Sequence, residues 1–274
     1  MKNKVLVYCD KGVFATSANG WVRAFKDRGF DAVLCNKKQL MQNIHRSDIA
    51  AVVMPGGNSG NPALGDETIR VSLGEDGHKA LRKYVEYGHG TLLAVCGSAY
   101  RFSKKIEFHH EKHGTKETLR ELGAGFYNAV TKNWRFYDDS PATADVIPVT
   151  LDNGEMLSIF YHGGPAFAFN KTEKAEPFLC FDDGQIAGAE IRKWKGCIIV
   201  LSVHPEFIDI TPSYPVEKGG SIPGRATEVR SLVNTMKRKY KDHHRLLDFI
   251  VKKVMAHASK KPTRITVEKA AQLG

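Results

Sequence analysis

The sequence predicts an α/β fold built on a mostly parallel central sheet. Two observations predict it. In the first third of the 274 residues, short apolar runs alternate with helical patterns, which is the order of a doubly wound sheet. In the second half, further apolar runs are separated by loops of Asp, Asn and Gly, which indicate additional strands. The length suits one sizeable α/β domain with its own core.

The elements of the first third follow in order. An amphipathic helix with Trp21, Val22 and Phe25 on its apolar face is expected to end near Gly29, and a second helix is expected from Gly77 to Tyr87. Around them lie four apolar runs that predict buried strands: Val5 to Cys9, Asp31 to Leu34, Ile49 to Met54 and Thr91 to Val95.

The second half predicts five more strands and one long helix. The helical pattern extends from Val229 to Val254. We expect a single domain over residues 1–258 and a basic, loosely ordered tail over 259–274. The predicted strands are Asp145 to Leu151, Met156 to Tyr161, Pro177 to Phe181, Ile186 to Ile191 and Gly196 to Val203.

The net charge of +10 is local. Between Arg225 and Arg264 there are 12 Lys or Arg but only 3 Asp or Glu, so nearly all of the excess lies in this segment. A solvated face of the C-terminal helix is the favoured interpretation, and contact with an acidic partner, a membrane surface or nucleic acid is the alternative. Because base-stacking aromatic residues are nearly absent there, nucleic acid is disfavoured.

The five cysteines are odd in number and widely spaced, which fits a reducing compartment and neither a disulfide framework nor a zinc site. The first residues have too short an apolar run for a signal peptide, and no stretch is long enough to span a bilayer. The sequence therefore predicts a cytoplasmic protein with no cofactor and no metal, and it leaves a homo-oligomer open.

Cys96 lies where an apolar strand should turn sharply into a helix that begins with small residues, in Leu93-Ala94-Val95-Cys96-Gly97-Ser98-Ala99. Such a strand-turn-helix is a nucleophile elbow, and the helix N-terminus favours a thiolate. Taken alone, a cysteine after a strand is more often a small buried hydrophobe. A nucleophile would also need a base and an oxyanion hole.

Both are present in the chain. Val203-His204-Pro205-Glu206 follows a strongly apolar strand, so His204 could shuttle the proton while Glu206 orients its ring. Met54-Pro55-Gly56-Gly57-Asn58 follows another strand and offers backbone N–H groups. We expect Gly56 or Gly57, together with Gly97, to hold the oxyanion, although a plain Pro-Gly-Gly turn is an equal alternative.

These pieces resemble the class I glutamine amidotransferase-like superfamily, with its Cys, His, Glu triad in that chain order and its flavodoxin-like three-layer sandwich. The resemblance is closer to one branch, the amidotransferase-like domain at the N-terminus of eukaryotic biotin-protein ligases, also found as free-standing bacterial proteins. It covers most of the chain. The ordered segments that carry it are Tyr8 to Gly12, Met54 to Gly57, Cys96 to Tyr100, Ile106 to Phe108, Tyr161 to Phe167 and Val203 to Phe207.

The resemblance implies acyl transfer from a small-molecule or peptide amide, most simply hydrolysis, through a thioester on Cys96. No biotin-ligase catalytic domain and no ammonia acceptor domain is recognisable, so any such partner would be a separate chain. Two alternatives stay open. One is a regulatory or interaction module that turns nothing over, and the other is an intracellular peptidase or deglycase.

Other residues are assigned by position. We expect a substrate pocket lined by Asp10, Asn58, Tyr161, His162, Gly163 and Gly164, because ligands bind at the carboxyl ends of parallel strands. A capping role for Asp10 and a core role for Tyr161 are equal alternatives. His109, His110 and His113 with Glu111 could bind a metal, but we expect a solvated loop there.

Overall fold

The computed structural model describes residues 2–58, 68–88, 90–112, 115–134, 137–138, 144–207 and 234–258. Five parallel strands form the centre of the fold, in the order β2-β1-β3-β4-β14. Nearly every residue of β3, β4 and β14 is buried, which is why these segments read as continuous apolar runs. The central strands are β1 Lys4–Tyr8, β2 Asp31–Cys35, β3 Ile49–Met54, β4 Thr91–Val95 and β14 Gly196–Leu201.

A largely antiparallel extension continues from β14. β13 pairs antiparallel with β14 and with β12, β12 pairs with β9, and β9 pairs with β10. A second branch runs from β13 through β11, β7 and β5 to β6. The strands are β5 Ser103–Lys112, β6 Thr115–Leu122, β7 Tyr127–Asn133, β8 Tyr137–Asp138, β9 Ala144–Leu151, β10 Met156–His162, β11 Pro165–Phe169, β12 Ala175–Phe181 and β13 Ile186–Lys193.

The helices cover both faces of the central sheet, which gives the three layers of a flavodoxin-like sandwich. On one face Trp21 of α1 and Leu247 of α5 enter a single core cluster. On the other, Leu40 of α2 and Leu81 of α3 enter a second cluster. The helices are α1 Ala15–Lys26, α2 Lys37–Asn43, α3 Ile69–Tyr87, α4 Gly97–Phe102 and α5 Tyr240–Ala258.

The predicted fold class is confirmed, and three local predictions are corrected. α3 begins at Ile69 rather than near Gly77, and its backbone breaks at Gly74, where φ is 62°. The long C-terminal helical pattern is interrupted, since residues 234–238 are helical and α5 begins at Tyr240.

His109, His110 and Glu111 lie in strand β5 rather than in the predicted loop. His109 lies in β5, where its backbone N–H donates to Asn133 Oδ1 at 2.7 Å and its Nδ1 contacts Thr118 Oγ1 at 2.8 Å. Ladder pairing with β6 and β7 holds this segment extended. His113 and the side chains of His110 and Glu111 lie outside the described residues, as do the loop after Phe207 and the tail from residue 259.

None of the helices within the described ranges has the length and apolar character needed to cross a membrane.

Candidate active site

Cys96 stands between β4 and α4 in a strained backbone conformation. Its φ of 50° and ψ of −112° lie outside the regions that residues with a side chain favour. Two neighbours hold it there: its N–H donates to Leu201 O of β14 at 2.7 Å, and its carbonyl accepts from Tyr100 N at 3.1 Å. The predicted strand-turn-helix at this cysteine is therefore present, and α4 begins directly at Gly97.

Glycines allow the neighbouring loop to approach this turn. A Cβ on Gly97 would lie 1.9 Å from the carbonyl oxygen of Gly57, so the two backbones touch only because Gly97 has no side chain. A Cβ on Gly56 would lie 2.5 Å from Cε1 of His204 and 3.5 Å from Cβ of Cys96. Gly56 therefore sets the width of the space that the cysteine and the histidine border.

Of the three N–H groups expected to bind the oxyanion, those of Gly57 and Gly97 remain available and that of Gly56 does not. The N–H of Gly56 donates to Ser17 Oγ at 3.2 Å, so it is not available to a substrate. The loop is held in place by Phe14 N donating to Gly56 O at 3.0 Å and by Asn58 N donating to Gly12 O at 2.7 Å. Among the described residues the N–H of Gly57 has no hydrogen-bond acceptor. Gly97 is the first residue of α4, where N–H groups have no intrahelical acceptor.

His204 and Glu206 follow β14 and form a buried pair. His204 Nδ1 lies 2.8 Å from Glu206 Oε1, and both side chains are at most 1% exposed. The backbone N–H of His204 donates to Phe160 O at 2.7 Å, which fixes the start of this turn against β10. Among the described residues, the other ring nitrogen of His204, Nε2, has no hydrogen-bond partner.

Ser17 links the His204–Glu206 pair to the glycine loop at Gly56. Its hydroxyl donates to Glu206 Oε1 at 2.5 Å, the same oxygen that contacts His204, and accepts from Gly56 N. On the next turn of α1, Gly20 lets the chain of Glu206 pack at close range, since a Cβ there would lie 3.1 Å from Cβ and Cγ of Glu206. The sequence analysis did not identify Ser17. Its only signal is its place in the first turn of the helix that follows β1.

Burial and neighbouring charges shift the pKa of His204 in opposite directions. Desolvation lowers the pKa of its imidazole, but the Glu206 carboxylate and Cys96 together raise it by more, so the pKa is raised overall. A raised pKa makes the imidazole a stronger base. His162 behaves differently, since burial and the charge of His204 lower its pKa to about 4, and it is neutral at physiological pH.

The remaining predicted pocket residues separate into two groups. His162 borders the cysteine: its carbonyl accepts from Cys96 Sγ at 3.4 Å, and its ring stacks on Phe14 with the ring centroids 6.4 Å apart. Gly163 has a φ of 68°, and a Cβ on Gly164 would lie 2.0 Å from Ser202 O, so this pair lets β10 turn tightly into β11. Phe14 is a wall residue that the sequence analysis missed.

The second group forms hydrogen bonds that cap or connect elements of the fold, and it consists of Asp10, Tyr161 and Asn58. Asp10 accepts from the backbone N–H groups of Lys11 and Lys37, at 2.9 and 3.1 Å, which is the capping alternative. Tyr161 is 1% exposed and donates to Gly164 O at 2.9 Å. The backbone of Asn58 accepts from Ile69 N at 2.9 Å and so links the glycine loop to α3.

Two comparisons define the class. The fold matches the crystal structure of a glutamine amidotransferase with a TM-score of 0.50 at 20% identity, over 74% of this chain and 90% of the other. It matches a glutamine amidotransferase from Thermotoga maritima with a TM-score of 0.58 at 13% identity, over 95% of this chain and 100% of the other. At these identities the comparisons show the fold, which is glutamine amidotransferase-like.

The family follows from the sequence. Residues 3–272 match the family described as "Biotin-protein ligase, N terminal", and the chain belongs to this family. The resemblance drawn from the ordered motifs is thereby confirmed. No curated protein matches the chain.

Proposed function

We propose that this protein is a cysteine-dependent amide hydrolase of the glutamine amidotransferase type, with Cys96 as nucleophile, His204 as general base and acid, and Glu206 as the residue that orients His204. The single observation that carries the proposal is the strained backbone of Cys96 at the head of α4. Such strain persists only where the surroundings enforce it, and it clusters at functional sites. Here it coincides with a buried His–Glu pair.

The reaction would proceed in two halves. His204, whose raised pKa favours its protonated form, takes the thiol proton before the attack. Cys96 Sγ then attacks the carbonyl carbon of the amide as a thiolate, and the N–H groups of Gly57 and Gly97 bind the oxyanion. Collapse of the tetrahedral intermediate breaks the C–N bond, and His204 gives its proton to the leaving nitrogen. Water, deprotonated by His204, then hydrolyses the thioester to a carboxylate and restores the Cys96 thiol.

The glutamine amidotransferase-like fold supports a small-molecule or peptide amide as the substrate. If the substrate is glutamine, the released ammonia would need an acceptor. All five cysteines lie within the described ranges as thiols rather than disulfides, which supports the predicted cytoplasmic location.

The first test is selective alkylation. Iodoacetamide at neutral pH, followed by peptide mapping, should modify Cys96 first, even though Cys96 is buried and Cys180 on β12 is more accessible. The Cys180→Ala variant is the matched control and should keep the fast phase, whereas Cys96→Ala should lose it. Alkylation of Cys96 no faster than that of Cys180 would contradict an activated nucleophile.

The second test is ammonia release from glutamine and a panel of simple amides. We expect turnover that Cys96→Ala lowers by about 10⁴-fold or more. Release from peptide or glycated substrates without glutamine dependence would identify the peptidase or deglycase alternative.

One contact favours a second candidate, a binding module that does not turn over. The thiol of Cys96 donates to the carbonyl of His162 at 3.4 Å, and this acceptor competes with His204 for the thiol proton. Rapid alkylation of Cys96 without release of ammonia from any amide would favour this module.

A further inference from the structure

A second set of cysteine, histidine and glutamate lies far from Cys96. It comes from three segments: Glu190 on β13, Cys197 at the start of β14, and His257 in the last turn of α5. One ligand-type atom of each residue lies within 4.8 Å of the others. Glu190 is 5% exposed and Cys197 fully buried, so these groups converge inside the protein rather than on its surface.

The regular secondary structure brings these atoms together. In the antiparallel pair of β13 and β14, Glu190 lies opposite Ile199 and Arg192 lies opposite Cys197. Side chains two residues apart on a strand share a face, so Glu190 and Cys197 point to the same side of the sheet. Ile199 and Cys197 belong to the core cluster that packs against α5, and the last turn of α5 adds His257 above them.

We propose that Glu190, Cys197 and His257 form a binding site for a divalent transition-metal ion of the zinc class. Thiolate, imidazole and carboxylate are the ligands that Zn²⁺ takes in proteins, with bonds of about 2.0–2.3 Å. The ligand atoms therefore need to move only slightly inward to meet one ion. Three protein ligands leave the fourth tetrahedral position for water.

The basic residues near the site do not oppose a cation as strongly as their number suggests. Lys253 Nζ lies 3.0 Å from Glu190 Oε2 and 5.1 Å from the ring centroids of both Phe178 and Phe249. Arg192 Nε lies 3.6 Å from Glu190 Oε1. His257 Nε2 contacts Oε1 at 3.0 Å. An ion at Oε1 would replace this hydrogen bond and leave Lys253 on Oε2. Because metal binding releases the thiol proton and any imidazolium proton, the net charge of the cluster rises little.

Spacing in the sequence could not find this site. Cys197 and His257 are separated by most of the C-terminal third of the chain, and neither belongs to a short metal-ligand motif. Binding here would fasten the last turn of α5 to the sheet, since it would join one helix and two strands.

The experiment uses the full chain with Cys96→Ala, which removes the other cysteine, histidine and glutamate set from the measurement. Co²⁺ added to this protein should give a thiolate-to-cobalt charge-transfer band and the visible bands of a tetrahedral site, saturating at one equivalent. Zn²⁺ should displace both.

Two variants in that background decide the outcome. Cys197→Ser should lose the charge-transfer band, and His257→Gln, whose parent side chain is 12% exposed and so tests the site without entering the core, should weaken binding at least tenfold. Cys180→Ser is the matched control and should bind as the parent does. Absence of the bands from the parent, or their persistence in His257→Gln, would overturn the proposal.

Discussion

The two ends of β14 carry the same three residue types in different settings. Cys96, His204 and Glu206 meet beyond its carboxyl end, whereas Cys197, His257 and Glu190 meet at its start. Four residue-to-residue steps along the strand, about 13 Å at the usual rise, separate Cys197 from Leu201. At the carboxyl end the cysteine is held at a positive φ beside glycine N–H groups. At the start, Cys197 lies in regular strand.

The comparison shows that a nucleophile and a metal site make different demands on the backbone, even when they use the same residue types. A nucleophile needs donors for the charge that develops on the substrate, and here they come from glycine N–H groups beside a strained backbone. A metal site needs only that donor atoms converge, and ordinary strand pairing with a packed helix achieves this. Residue type alone distinguishes the two sets poorly.

The sharpest test exchanges each carboxylate for an amide. Glu206→Gln should lower kcat/KM by about 10³–10⁴-fold, because the amide has no charge to stabilise the His204 imidazolium and can present an N–H to the ring in place of the carboxylate oxygen. Glu190→Gln should leave kcat/KM within a factor of about two and lower the free energy of unfolding by about 2 kcal/mol, because it loses charge-assisted hydrogen bonds to Lys253 and His257. Kinetics and denaturant titration measure the two effects. A large loss of turnover in Glu190→Gln would erase the distinction.

The pH dependence of stability should have opposite signs at the two ends. Hydrogen bonding from His257, and also from Lys253, outweighs burial and lowers the pKa of Glu190 to about 2. Its stabilisation is therefore complete above pH 4.5 and is lost as the pH falls toward 2. The pKa of His204 is raised, so its stabilisation is complete below pH 6.5 and is lost as the pH rises through the raised pKa.

Two variants distinguish the loss of stability at low pH, the acid limb of the curve of unfolding free energy against pH, from the loss at high pH, the alkaline limb. Glu190→Gln should flatten the acid limb of the unfolding free energy by at most about 2 kcal/mol, and Glu206→Gln should flatten the alkaline limb. Urea unfolding across the pH range measures both. An acid limb unchanged in Glu190→Gln would show that other carboxylates produce it.

The smallest expected effect concerns Ser17, which positions Glu206 and Gly56. Ser17→Ala should lower kcat/KM by about tenfold, the cost of one hydrogen bond to a charged group, and should move the pH profile of kcat/KM. Ser103 is an equally buried serine, with bonds to Tyr100 O and Thr131 Oγ1, and Ser103→Ala should reduce stability while leaving the pH profile in place. Identical profiles for both variants would make Ser17 merely structural.

Sequence reasoning reached the parallel half of the fold because those strands are buried on both faces and read as apolar runs. It missed β5, where residues such as His109 and Glu107 are polar and partly exposed, and pairing with β6 and β7 supplies the order. At the site, motifs identified Cys96, His204 and Glu206. The sequence could not predict the role of Ser17, because a single serine in a helix forms no motif. Its role depends on the packing of α1 against Glu206, which only the structure shows.

The residue at the position of Gly56 indicates whether a related chain can keep the cysteine–histidine arrangement of this site. Because a Cβ there would lie only 2.5 Å from Cε1 of His204, a relative with alanine or serine at the equivalent position must have moved its imidazole or lost its use. Divergence at this residue should therefore coincide with loss of the Cys96 or His204 equivalents. A single backbone position would then separate family members that can turn over from those kept for binding alone.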